Sequence, residues 1–125
     1  MLGDRRDIST IAASLDIGCN VSHGEGFPNA VGEVMACGVP CVVTPVGASA
    51  HLVGDSGFIA RSTDDSDIRK ALEAAVIMEG GARSVLGQGA RERIKAHFSI
   101  GAVADRFIAV YDGTAAGSPN AGNVM

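Results

Sequence analysis

The sequence predicts an α/β fold in which a small parallel sheet is flanked by helices. The main observation is the run of residues 41–44, Cys-Val-Val-Thr, which is apolar and β-branched without alternation, as in a strand buried on both faces of a parallel sheet. A short helical segment at residues 30–37 precedes this run, and a strand candidate at residues 16–21 precedes the helix. The order strand, helix, strand is typical of parallel α/β proteins.

Composition limits the chain to one small domain. Of its 125 residues, 46% are hydrophobic and 19% are charged, which is enough apolar material to close a core when folding buries roughly two-thirds of the surface. The net charge of −4, the single Tyr and the absence of Trp are unlike a nucleic-acid-binding protein, which needs a basic patch and stacking side chains. We therefore expect no nucleic-acid partner.

The sequence carries no signal for membrane insertion, export or metal binding. No stretch approaches the roughly 20 apolar residues that span a bilayer, and the first residues lack the apolar segment of a signal peptide, so we expect a cytoplasmic protein. Cys19, Cys37 and Cys41 are an odd number of cysteines, which predicts reduced thiols. No second Cys pair or His pair completes four ligands with Cys37 and Cys41, so we expect no metal site.

The boundaries of the central helix are marked by proline and glycine. The strand at residues 16–21 ends in the turn-rich residues 22–26. Pro28 suits the first turn of the helix that follows, and Gly38 suits its C-terminal cap. The helix is therefore short and begins near Pro28.

A third strand is predicted after the buried one. Pro45 and Gly47 end the strand at residues 41–44, and a loop with room for a helical turn runs to Asp55. Residues 57–60, Gly-Phe-Ile-Ala, are apolar and flanked by turn residues, which indicates a shorter strand.

The second half of the chain predicts three helices. An acidic segment at residues 64–67 starts the first of them, and Gly80 with Gly81 ends it. The second helix begins near Ala82 and the third near Ser99. Their apolar faces are assigned to Ile68, Leu72, Ala75 and Val76 in the first helix, to Val85, Leu86 and Ile94 in the second, and to Val103, Phe107, Val110 and Tyr111 in the third.

The segment that carries chemistry is residues 25–33, Glu-Gly-Phe-Pro-Asn-Ala-Val-Gly-Glu. If the helix begins near Pro28, Glu25 lies in the loop before it and Glu33 lies in its second turn. Both carboxylates then border the amino end of one helix. A carboxylate can accept two hydroxyl protons at once, which suits the recognition of vicinal hydroxyls.

The amino end of this helix supplies hydrogen-bond donors between the two glutamates. The backbone amides of Asn29, Ala30 and Val31 have no partners within the helix, and with the helix dipole they favour a phosphate or sugar hydroxyls. Carboxylates beside such donors are typical of a site for a nucleoside diphosphate sugar.

Residues 22–44, Ser-His-Gly-Glu-Gly-Phe-Pro-Asn-Ala-Val-Gly-Glu-Val-Met-Ala-Cys-Gly-Val-Pro-Cys-Val-Val-Thr, resemble the nucleotide-sugar-binding domain of the retaining glycosyltransferases of family 4. These enzymes have the GT-B architecture of two facing Rossmann-like domains. The resemblance extends from Leu2 to Tyr111 and includes the E-x7-E signature at Glu25 and Glu33. It implies a partial, Rossmann-like C-terminal domain at residues 1–112, whereas residues 113–125, rich in Gly, Ala, Ser and Asn, are predicted to form a disordered tail.

The resemblance also implies a role for each residue of the motif. Glu25, the implied catalytic residue, contacts hydroxyls of the transferred sugar, and Glu33 binds the ribose hydroxyls. The base would meet residues 3–7. The implied donor-binding set is Glu25, Gly26, Phe27, Asn29, Ala30, Val31 and Glu33, in which the amides of Ala30 and Val31 lie near the diphosphate.

The function implied is the donor-binding portion of an enzyme that transfers a hexose from a nucleoside diphosphate sugar, with no cofactor or metal, to a sugar, lipid or glycan acceptor. The N-terminal acceptor domain is missing, so we expect the chain alone to be inactive and to self-associate through an open sheet edge. Peripheral membrane contact stays open for the full enzyme. The alternative is a stand-alone, non-catalytic module for nucleotide-sugar binding or assembly.

Three residues depart from the family pattern. Gly32 replaces a usual aliphatic residue of the signature helix, and Ala48 and His51 stand where a second Gly and a Glu are common. We expect Gly32 to cost about 1 kcal/mol of helix propensity relative to alanine.

Overall fold

The computed structural model describes residues 3–113. Within them, helices and strands alternate up to the third strand, and three further helices follow, which gives six helices and three strands. In chain order these elements are α1 (Ile8–Ala13), β1 (Gly18–Asn20), α2 (Asn29–Ala36), β2 (Cys41–Val43), α3 (Ser49–Val53), β3 (Phe58–Ile59), α4 (Asp65–Ile77), α5 (Gly80–His97) and α6 (Ile100–Tyr111). Of the predicted tail at residues 113–125, only Gly113 is among the described residues.

The three strands form one parallel sheet in the order β1-β2-β3. Gly18 is paired with Cys41 and Val42 with Phe58. Because all three strands run in the same direction, the loops after β1 and β2 leave the sheet at the same edge. The predicted fold class, an α/β fold with a small parallel sheet and flanking helices, is confirmed.

Helices cover both faces of β2, as its apolar sequence predicts. Cys41 and Val43 pack on one face, whereas Val42 packs on the other, and none of the three is more than 1% exposed. The cluster on the first face comprises Val31, Met35, Cys41, Val43, Leu52, Val53 and Ala90, and the cluster on the second comprises Val42, Ala60, Ala71 and Ala75.

The carboxyl end of α2 is fixed by two glycines. Gly38 has φ +81°, which L side chains rarely adopt, and it follows the last turn of α2, as predicted. Gly87 of α5 approaches so closely that a Cβ there would lie 2.0 Å from the Gly38 carbonyl oxygen. Helix α5 therefore packs directly against the end of α2.

The boundary between α4 and α5 differs from the prediction. Gly80 and Gly81 do not end α4 but form the first turn of α5, because Met78 is extended (ψ 131°) and stops α4 at Ile77. Arg83 donates hydrogen bonds to the carbonyls of Ala75 and Met78. These bonds satisfy the end of α4 without a glycine cap.

The predicted apolar faces are wrong at particular positions. Val76 is 66% exposed and Val85 69% exposed, whereas Ala75 is buried as predicted, together with Ala71 in α4 and Gly87 and Ala90 in α5. Small residues take these positions because the helices approach closely. Helix α6 buries none of its described residues, and its predicted stripe of Phe107, Val110 and Tyr111 is exposed.

Candidate functional site

Two loops meet at the carboxyl edge of the sheet. Residues 21–28 connect β1 to α2, and residues 44–48 connect β2 to α3. Since β1 and β2 are neighbouring parallel strands, both loops lie where open α/β sheets bind ligands. The predicted motif occupies the first loop and the start of α2.

Hydrogen bonds tie the motif loop to the end of β2. Thr44 Oγ1 donates to the carbonyl of Ser22 at 2.5 Å, and Ser22 Oγ donates to Asn20 Oδ1 at 2.7 Å. Thr44 is only 1% exposed, so its hydroxyl is satisfied inside the protein by this contact. The base of the loop is thereby fixed to the sheet.

A second contact holds the loop at Glu25 and Gly26. Gly47 has φ +53°, and a Cβ at this position would lie 1.9 Å from the Glu25 carbonyl oxygen. The amide of Ala48 donates to the Gly26 carbonyl at 2.9 Å. Only glycine allows the two backbones to approach this closely.

The amino end of α2 has fewer unpaired amides than its sequence predicts. The amide of Asn29 donates to the Phe27 carbonyl and that of Val31 to the Pro28 carbonyl, both at 3.0 Å. The prediction of unpaired amides is therefore wrong for these two residues, because a tight turn at Pro28 brings carbonyls to them. Ala30, together with Gly26 and Phe27, has an amide without an acceptor among the described residues.

Along the chain, Glu25 precedes this helix end and Glu33 follows it. Glu25 is half-buried in the loop, and Glu33 is exposed in the second turn of α2. Neither carboxylate has a hydrogen-bond or ionic partner within the part of the chain that the structure describes. Asn29 is four residues before Glu33 and shares its face of the helix. Both carboxylates are thus free to accept hydrogen bonds from a ligand.

Glu33 borders a cavity on each side of α2. The first, about 380 Å³, lies toward α1 and is lined by Ile8, Ser9, Ala12, Glu33, Ala36 and Cys37. The second, about 770 Å³, lies toward α5 and α6 and includes Phe27, Asn29, Leu52 and Phe98. Both are of the size that small-molecule ligands occupy.

An aromatic cluster forms one wall of the larger cavity. The rings of Phe27 and Phe98 are 6.0 Å apart, and His51 meets the Phe98 ring edge-on at 5.7 Å. His51, one of the departures from the family pattern, therefore has a packing role. Phe27 remains 48% exposed and presents part of its ring at the cavity.

The segment expected to meet the base, residues 3–7, is exposed and precedes α1. Within it Arg5 Nε donates to Asp7 Oδ1 at 2.7 Å, and this bond lowers the pKa of Asp7 from its ordinary value. The smaller cavity is lined by α1, which follows this segment and which the sequence does not predict.

Sequence reasoning also missed Thr44, Gly47 and Phe98 as parts of the site. The sequence pattern marks Thr44 only as the last residue of the strand at residues 41–44, and Gly47 only as a residue that ends this strand. The available signal was the polar residue at the end of an apolar strand, which has to find a hydrogen-bond partner when buried.

The cysteines are free, and Cys41 is buried. Desolvation raises the pKa of the Cys41 thiol to about 12, so this group is neutral at physiological pH. Among residues 3–113 there is no group of His, Cys, Asp and Glu side chains that could hold a metal ion. In the same range no helix has the length and apolar character needed to cross a membrane.

Residues 1–77 match the family model described as glycosyl transferases group 1. The chain is 31% identical over 108 residues to the MMP alpha-(1->4)-mannosyltransferase of Mycolicibacterium hassiacum, a match that covers 85% of this chain and 26% of that protein. It is 26% identical over 113 residues to the N-acetyl-alpha-D-glucosaminyl L-malate synthase of Bacillus anthracis, covering 88% of this chain and 29% of that protein.

A solved structure has the same fold. Sucrose-phosphate synthase from Thermosynechococcus elongatus superposes with a TM-score of 0.71 and 24% identity, over 86% of this chain and 27% of that chain. The chain thus spans between 26% and 29% of the length of the relatives it matches.

Proposed function

Because this chain belongs to the glycosyl transferases group 1 family, we propose that it is the donor-binding portion of a retaining glycosyltransferase that uses a nucleoside diphosphate sugar. One observation carries the proposal: Glu25 and Glu33, whose carboxylates have no partner among residues 3–113, precede and follow the amino end of α2 at the carboxyl edge of the sheet. Two relatives are named for mannosyl and N-acetyl-glucosaminyl groups, which supports a hexose as the transferred group.

Each part of the motif has a distinct task in this proposal. Glu33, exposed on α2, accepts hydrogen bonds from the ribose hydroxyls. Glu25 accepts hydrogen bonds from hydroxyls of the transferred sugar and holds the sugar ring over the loop. The unpaired amide of Ala30 and the positive end of the α2 dipole lie near the diphosphate.

Transfer itself needs groups outside this chain. When the bond between sugar and diphosphate breaks, negative charge develops on the departing diphosphate. The amino end of α2 stabilises that charge electrostatically, together with basic residues that the resemblance assigns to the missing part of the enzyme. A separate acceptor domain supplies the acceptor, and no metal ion is required.

Calorimetric titration of the chain with UDP-, GDP- and ADP-sugars tests the proposal. We expect one base to be preferred, with a dissociation constant on the order of millimolar, because this chain spans 26% and 29% of two of its relatives and supplies only part of such an enzyme's contacts. Glu33→Ala should weaken binding about tenfold or more, since a hydrogen-bonded carboxylate is lost. Glu73→Ala is the matched control, because Glu73 is exposed on α4 and its ion pair within the described residues is with the exposed Arg69. Equal heats for Glu33→Ala and the parent would remove Glu33 from the site.

A further inference from the structure

Thr44, which follows the last residue of β2, makes a long-range side-chain hydrogen bond to the motif loop. Its Oγ1 donates to the carbonyl of Ser22, 22 residues earlier in the chain, at 2.5 Å. Its backbone amide also donates to the Asn20 carbonyl, at 3.4 Å. Thr44 therefore continues the pairing of β1 and β2 past their last residues and reaches into the motif loop.

The loop is held again just beyond Glu25. The amide of Ala48 donates to the Gly26 carbonyl, and Gly47 touches the carbonyl of Glu25 itself. The connection from β2 to α3 is thus hydrogen-bonded to the motif loop at Ser22 and at Gly26. Glu25 lies between the two points.

We propose that Thr44 is a positioning residue for Glu25: its hydroxyl fixes the base of the loop so that the carboxylate stays at the amino end of α2. The inference rests on the proposed function, because it concerns the carboxylate that is assigned to the transferred sugar. A buried hydroxyl is favourable only when it is hydrogen-bonded. Valine has the same shape and would fill this space at less cost, so the hydroxyl serves the loop rather than the core.

The sugar and the nucleoside of the donor are held by different carboxylates. Glu25 is assigned to the sugar and Glu33 to the ribose, and the hydroxyl of Thr44 donates its hydrogen bond to the loop of Glu25. Displacing the loop should therefore weaken the binding of a nucleoside diphosphate sugar and leave that of the free nucleoside diphosphate unchanged. A merely structural role would change both affinities together.

The test compares Thr44→Val, which removes the hydroxyl, with Thr44→Ser, which keeps it. Calorimetry measures the affinity of each variant for the preferred nucleoside diphosphate sugar and for the matching nucleoside diphosphate. We expect Thr44→Val to lose about tenfold in affinity for the former only, and Thr44→Ser to retain the affinity of the parent. An unchanged sugar-nucleotide affinity in Thr44→Val, or equal losses for both ligands, would overturn the proposal.

A second measurement does not depend on the donor. Hydrogen exchange of the Ala48 amide, which is hydrogen-bonded to the Gly26 carbonyl, should become faster in Thr44→Val and stay at the parent rate in Thr44→Ser when it is followed by NMR. If the parent binds no nucleotide sugar, the proposed function fails, whereas the contact between Thr44 and the loop is judged by exchange. Unchanged exchange in Thr44→Val would show that Thr44 does not position the loop.

Discussion

In both α2 and α3, the backbone groups at the carboxyl end and at the amino end are treated differently by the rest of the protein. At their carboxyl ends, which we term the closed end, two arginines of α5 donate to backbone carbonyls: Arg91 to Ala36 at 2.9 Å, and Arg93 to Leu52 at 3.0 Å. At their amino ends, the open end, the N-cap residues Pro28 and Ala48 make no side-chain cap.

The difference separates stability from binding. At the closed end, the two arginines of α5 donate hydrogen bonds to the terminal helix carbonyls and neutralise their partial negative charge. At the open end of α2 the amide of Ala30 has no acceptor among the described residues, and the two glutamates of the motif lie in the adjoining loop and second turn. We therefore expect changes at the closed end to affect stability alone, and changes at the open end to affect binding as well.

The largest effects should come from filling a close backbone contact at either end. Gly47→Ala places a Cβ 1.9 Å from the Glu25 carbonyl oxygen, and Gly87→Ala places one 2.0 Å from that of Gly38. Each should lower the free energy of unfolding in urea by about 3 kcal/mol. Only Gly47→Ala should also weaken nucleotide-sugar binding by the molecules that remain folded. Gly24→Ala is the control, since a Cβ there meets nothing within 4 Å.

If Gly87→Ala weakened donor binding as much as Gly47→Ala, the separation of the two ends would be wrong.

A smaller effect is expected from Arg93→Met at the closed end. The variant keeps most of the side-chain stem but loses the hydrogen bonds to the carbonyls of Leu52 and His51. Urea unfolding should show a loss of about 1.5 kcal/mol, with donor affinity unchanged. Arg69→Met serves for comparison, because Arg69 is exposed and its partner among residues 3–113 is the exposed Glu73, so its loss should be near zero. Similar stabilities for the two variants would contradict a capping role for Arg93.

The smallest effect is a pH dependence from Cys41, at the amino end of β2. Its pKa rises from 9.0 to about 12 on folding, because burial disfavours the thiolate. The unfolded chain therefore releases this proton first, and stability that is fully present below pH 9 is lost as the pH rises toward about 12. At pH 10 the loss should be about 1 kcal/mol. Urea unfolding of the parent and of Cys41→Ala at pH 8 and pH 10 measures it. Equal slopes for the two proteins would mean that Cys41 titrates normally in the fold.

Local chemistry made the centre of the fold predictable. The apolar run at residues 41–44 identified a strand buried on both faces, and Pro28 and Gly38 placed the ends of α2 within a residue or two of their position in the structure. These signals act over a few residues, as a cap or a strand requires. Glu25 and Glu33 fall at the end of α2 for the same reason.

Contacts between distant segments were not predictable. The hydroxyl of Thr44, for example, finds the Ser22 carbonyl only after β1 and β2 are paired. Such contacts depend on topology, which single-sequence patterns carry weakly.

The contact between Gly54 and Arg93 makes these two positions dependent on each other. A Cβ at Gly54 would lie 2.6 Å from Arg93 Cζ, so the guanidinium occupies the volume that any larger residue would need. Gly54 also has φ +53°, so a side chain there would be strained by the backbone as well. A descendant that acquires a side chain at position 54 has to move or shorten the one at position 93, and the carbonyls of His51 and Leu52 at the end of α3 then lose their donor.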